Sequence, residues 1–90
     1  MHPITKFKEI KEHLANYNED AYLFDGFEKA LIGYAQQSNQ PIVACYDYNK
    51  CIKILMSQNK MSKEDAIEFF EFNTMGCNLG ENTPVIITRP

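Results

Sequence analysis

The sequence holds a single arginine, Arg89, its next-to-last residue. Bidentate guanidinium reading of bases or phosphates by the folded body is therefore nearly excluded. The charge balance points the same way. Nine Lys and Arg against twelve Asp and Glu give a formal net charge of −3, with no cation cluster to follow a phosphate backbone. The imbalance is also too small for the long acidic surface of a DNA mimic. The cysteines are Cys45, Cys51 and Cys77. An odd set with no close pair is a poor disulfide framework, and apolar neighbours favour small buried hydrophobes in a reducing compartment. The two histidines, His2 and His13, stand far from the cysteines, without zinc-ligand spacing. No apolar run approaches the roughly 20 residues of a membrane-spanning helix. Also missing are a Gly-rich phosphate loop, a Gly-x-Ser-x-Gly elbow, a repeat and a low-complexity stretch. No targeting segment is expected, because Met1-His2-Pro3-Ile4-Thr5-Lys6 runs straight into an amphipathic pattern.

What remains is ordinary globular composition. Hydrophobic residues make up 44% and charged residues 23% of 90 positions, which fits one domain over 1–90. A chain this short buries only about 60–65% of the surface its unfolded form exposes, so its core is thin.

Periodicity divides the chain into seven expected elements. Ile4, Phe7, Ile10, Leu14 and Tyr17 recur at helical steps, predicting a helix over 4–17. Ala21-Tyr22-Leu23-Phe24 is expected as a short strand, and Asp25-Gly26 as a turn. Residues 30–36 fit either period; Gly33 and the flanking turns favour strand. Ile42-Val43-Ala44-Cys45-Tyr46 is continuous and rich in β-branched residues, so it is expected as a central strand buried on both faces. Asp47 is placed to cap a helix over 48–59, with Cys51, Ile52, Leu55 and Met56 as its apolar stripe. Ser62-Lys63-Glu64-Asp65 resembles a capping box and opens another helix. Ala66, Phe69, Phe70 and Asn73 form its expected stripe, widened by Ile67 and Phe72. Gly76 is expected to end this helix in a left-handed conformation. Pro84 to Thr88 is a last strand. The fold class is α+β in the approximate order α-β-β-β-α-α-β, with helices covering one face of a small sheet.

Few residues carry a chemical signal. Glu64, Glu68 and Glu71 have helical spacing that suits a cation site, but a solvated acidic face explains them better. Cys51, in a first helical turn, is the only candidate nucleophile; no histidine neighbours it, and the apolar-stripe reading is preferred. Tyr46, Asp47 and Tyr48 sit where a strand gives way to a helix, a place where ligands often bind. The plainer reading makes Asp47 a helix cap and the tyrosines packing residues. Asp25, Asn73 and Glu81 are further candidates for polar contacts. The loop 73–83 is rich in polar residues and glycine, and loops of that kind carry function more often than cores do. No catalytic residue, metal site or cofactor is assigned.

From Tyr46 onward the word order is familiar: Tyr46-Asp47-Tyr48-Asn49-Lys50-Cys51-Ile52, then Ile54-Leu55-Met56, Phe70-Glu71-Phe72-Asn73 and Gly80-Glu81-Asn82-Thr83-Pro84-Val85-Ile86. With Asp25-Gly26 and Ala30-Leu31-Ile32-Gly33, this resembles a family of small uncharacterised proteins common in tailed-bacteriophage genomes. The resemblance covers residues 25–87; the N-terminal helix, within 1–20, falls outside it. It implies a phage source and the cytoplasm of a bacterial host, and it carries no catalytic residues. The expected function is a non-catalytic accessory protein that binds and modulates a host protein. Its contact surface would be aromatics left uncovered by the thin core, such as Tyr17, Tyr22 or Tyr34. The alternative is an oligomer with a pocket for a nucleotide-like signal, lined by Asp25, Asp47, Asn73 and Glu81. A small enzyme using Asp47 or Glu81 is the remaining class. Expected partners are thus a host protein or further copies of the chain, with neither nucleic acid nor membrane.

Overall fold

A computed structural model describes residues 3–76 and 79–90. His2, Cys77 and Asn78, and the side chain of Ile4, lie outside what is described. The elements are α1 (Pro3–Tyr17), β1 (Leu31–Ala35), β2 (Val43–Asp47), α2 (Tyr48–Gln58), α3 (Lys63–Phe69) and β3 (Val85–Ile87). Single 3-10 turns stand at Glu28–Ala30 and Gly80–Asn82. The α+β class is as expected. The sheet is mixed: β2 lies in the centre, antiparallel to β1 and parallel to β3.

All five residues of β2 are buried, as its unbroken apolar character requires. Alternation along the strand separates its faces. Ala44 and Tyr46 join the main core with Ile10 and Leu14 of α1, Cys51, Ile52 and Leu55 of α2, and Ala66 and Phe70. The intervening Val43 and Cys45 are buried outside that cluster. The helices therefore gather on one face of the sheet.

Three expectations need correction. Ala21–Phe24 is not a strand. The amide of Ala21 donates to the Asn18 carbonyl, that of Tyr22 to the Asn82 carbonyl and that of Phe24 to the Tyr46 hydroxyl. These partners replace a strand ladder, while Ala21, Leu23 and Phe24 still pack on the core. Tyr17 closes α1 and is 62% exposed, among the aromatics expected to stay uncovered, its ring resting on Tyr34 with centroids 5.7 Å apart. Gly76 takes right-handed angles, φ −75° and ψ −12°. A Cβ there would lie 2.8 Å from the Phe72 carbonyl oxygen, so glycine serves a close approach and not a positive φ. Lastly, the expected stripe on α3 is broken: Phe69, Phe72 and Asn73 are exposed, and only Ala66 and Phe70 are fully buried.

For Asn73, which an α period would return to the buried side, the break has a geometric cause. Beyond Phe69 the helix widens into a π-helical turn, Phe70–Met75. The Phe70 amide is shared between the carbonyls of Ala66 and Ile67 at the transition. Each π turn takes up an extra residue, so positions after Phe69 no longer follow the 3.6 period of α3.

Candidate functional site

Asp47 ends β2 and caps α2. Its Oδ1 accepts the Lys50 amide at 3.0 Å, which satisfies one of the orphan donors of the first turn. Its Oδ2 accepts both Nε and Nη2 of Arg89 at 2.6 Å. Asp47 is 2% exposed, while the Arg89 side chain is half exposed. Burial alone pushes the Asp47 carboxyl upward. The Lys50 amide and the Arg89 guanidinium outweigh that push and hold it below the usual carboxylate range. The charge of the lone arginine is thereby committed to a partner within the chain. Asn49 holds the same tail, its amide donating to the Arg89 carbonyl at 3.4 Å.

The neighbours of Asp47 point elsewhere. Tyr46 is fully buried against Phe24, with ring centroids 5.1 Å apart. Its hydroxyl oxygen accepts the Phe24 amide at 2.8 Å, and burial pushes its pKa up to about 12. Tyr48 turns towards α3 and its π turn, packing edge-on against Phe70 and donating to Glu71 Oε2 at 2.8 Å. Burial first, and then Glu71, raise its pKa. Three consecutive candidates thus serve three separate places.

The other candidates are dispersed as well. Asp25 borders a recess of about 220 Å3 with Phe27, Ile54 and Gln58. Glu81 borders one of about 190 Å3 with Gln37, Gln40 and Val43. The loop that carries Glu81 is pinned by Thr83, whose Oγ1 accepts the Leu79 amide at 2.8 Å and donates to the Gly80 carbonyl at 2.6 Å. Cys51 is fully buried, and burial followed by the Asp47 charge pushes its thiol up to about 12. Cys45 is raised for the same two reasons, in the same order. A protonated, buried thiol is a poor nucleophile, so the packing reading of both cysteines stands. Among the described residues no group of three or more His, Cys, Asp and Glu is placed to hold a metal ion. No described helix is long and apolar enough to cross a membrane.

Two of the six border larger features: Asp47 an open recess of about 360 Å3 with Asn49, Lys50, Lys53 and Arg89, and Asn73 a groove on α3. The Asn73 amide donates back to the Phe69 carbonyl at 3.1 Å. With Met61, Asp65, Glu68, Phe69 and Phe72, Asn73 lines a shallow open groove of about 460 Å3 along α3 and the π turn. Its lining joins three apolar side chains to two carboxylates and one amide. Ser62 fixes the start of α3, its Oγ accepting the Asp65 amide at 3.1 Å. Glu64 and Asp65 then stand in the first turn, where the positive end of the helix favours them. Phe72, two positions beyond the buried Phe70, is 82% exposed, with Phe69 at 40%. π-helical turns within α-helices are frequent at functional sites.

Sequence reasoning counts Phe72 with the core, as a widening of the α3 stripe. A signal was nevertheless present. Residues two apart in a helix point to nearly opposite sides, so Phe70 and Phe72 cannot share one buried stripe.

Compared with protein-family models, curated proteins and solved structures, the chain finds no match.

Proposed function

We propose that the chain works by binding another protein, as a non-catalytic phage accessory factor that modulates a protein of the bacterial host, and that the groove along α3 and the π turn makes the contact. The supporting observation is Phe72, a phenylalanine 82% exposed beside Phe69 and Met61. Fully burying such a ring yields about 1.5–3 kcal/mol. Grouped, exposed apolar side chains with a polar rim mark interaction sites. Tyr17, Tyr22 and Tyr34 are exposed too, but less so than Phe72, and the rings of Tyr17 and Tyr34 already pack on each other with centroids 5.7 Å apart. A further copy of the chain is disfavoured as the occupant, because pairing this face with itself sets Asp65 and Glu68 against like charges.

The test is a tagged pull-down from infected bacteria, comparing the native chain with Phe72→Ser. The reading predicts one host protein retained by the native chain and lost by the variant, with both folded by circular dichroism. Nothing retained above background by the native chain, or equal retention by both, contradicts it.

A further inference from the structure

Resting on that protein-binding reading, we infer that the groove takes a cationic amphipathic segment of its partner. An apolar side chain of the segment seats between Phe69 and Phe72, and its lysines or arginines meet Asp65 and Glu68. The inference comes from charge. Between residues 62 and 76 stand four acidic residues, Glu64, Asp65, Glu68 and Glu71, and one basic residue, Lys63. Glu71 accepts the Tyr48 hydroxyl. Asp65 and Glu68 line the groove itself, and among the described residues no cation forms an ion pair with them. The ion pair that is present joins Asp47 to Arg89, at the junction of β2 and α2.

Like charges three and four residues apart repel along the helix, as Asp65 does Glu68 and Glu64 does Glu68. A cationic partner relieves that repulsion, whereas an acidic one adds to it. Complementary charge also steers encounter and rejects wrong partners. The apolar side chains of the lining supply the affinity that exposed ion pairs alone do not. An amphipathic segment with one apolar and one basic edge satisfies both halves of the groove, in the manner of a helix laid in a hydrophobic groove.

Fluorescence anisotropy on the full chain tests this with two helical peptides of identical leucine pattern, one carrying lysines and one glutamines. The chain is used in native form and as Phe72→Ser, Glu68→Lys and the double variant Asp65→Lys/Glu68→Lys. The single Glu68→Lys leaves the first turn of α3 untouched, so it serves if the double variant folds poorly. The lysine peptide is expected to bind at least about tenfold more tightly than the glutamine peptide, and more weakly at high salt. Charge reversal should weaken it about tenfold, and Phe72→Ser should abolish the difference from background. Equal binding of the two peptides, or indifference to charge reversal, overturns the cationic inference and leaves the protein-binding reading standing. Failure of the lysine peptide to bind likewise overturns the inference, while the pull-down decides the reading separately. Binding that survives Phe72→Ser overturns the groove as the seat, and the reading with it.

Discussion

Replacing Arg89 with alanine removes two short bonds from a carboxylate that is almost entirely buried. A hydrogen bond to a charged group contributes about 1.5–3 kcal/mol, and breaking a fully buried pair costs about 3–5 kcal/mol. Arg89 is 55% exposed, so solvent already screens its half of the pair. The expected loss is therefore nearer about 1–2 kcal/mol. In a domain of this size that lowers the midpoint of thermal unfolding by roughly 5–15 °C. The effect carries a pH signature. Asp47 titrates below its ordinary value of 3.8 in the folded chain, so its contribution is present above that value and is lost as pH falls through the folded pKa. In the variant, burial is opposed by Lys50 alone. The gap between native chain and variant should thus be widest near neutral pH and close in acid. Thermal melts followed by circular dichroism at neutral pH and at about pH 3 measure both quantities. A neutral-pH loss under about 0.5 kcal/mol, the range of ordinary surface changes, refutes the reasoning. So does a gap that is independent of pH.

Three more outcomes follow from the same geometry. Tyr46→Phe strands the Phe24 amide and should cost about 1–2 kcal/mol; because the native hydroxyl is raised from 10.0 to about 12, the stability it contributes should be lost as pH climbs through that window, visible as alkaline unfolding in a spectrophotometric titration. Cys45 and Cys51 should react with a thiol reagent only after denaturant is added, and prompt reaction of either in the native chain would contradict their burial. Gly76→Ala ordinarily favours a helix by about 1 kcal/mol, yet the crowding against the Phe72 carbonyl should make it destabilising by a similar amount; a stabilised variant would show that the π turn is not held as described.

How far the sequence foretells this structure depends on the reach of each signal. The caps Asp47 and Ser62 act within three residues, and both helices begin where those side chains predict. β2 announces itself through the unbroken apolar run Ile42 to Tyr46, and it is the strand buried at every position. Ala21–Phe24 has the composition of a strand, but its deciding partners, Tyr46 and Asn82, stand far along the chain. Arg89 pairs with Asp47 across 42 positions, and nothing local in either residue reports that. Within the candidate site, Asn73 was legible as a polar residue at the edge of a loop. The exposure of Phe72 was legible in its two-residue offset from Phe70; its meeting with Met61 and Asn73 in one groove was not, because that depends on where the capped start of α3 and the π turn bring them.

The central claim is that the groove of Met61, Phe69, Phe72 and Asn73 carries the contact with a partner. Amide and methyl chemical-shift mapping of the chain with its retained host protein tests it most directly. The account predicts that the largest perturbations fall on Met61, on α3 and on the π turn, with the sheet and α1 little changed. Perturbations centred on Tyr17, Tyr22 and Tyr34, with Phe72 unmoved, would contradict it and transfer the docking face to those tyrosines.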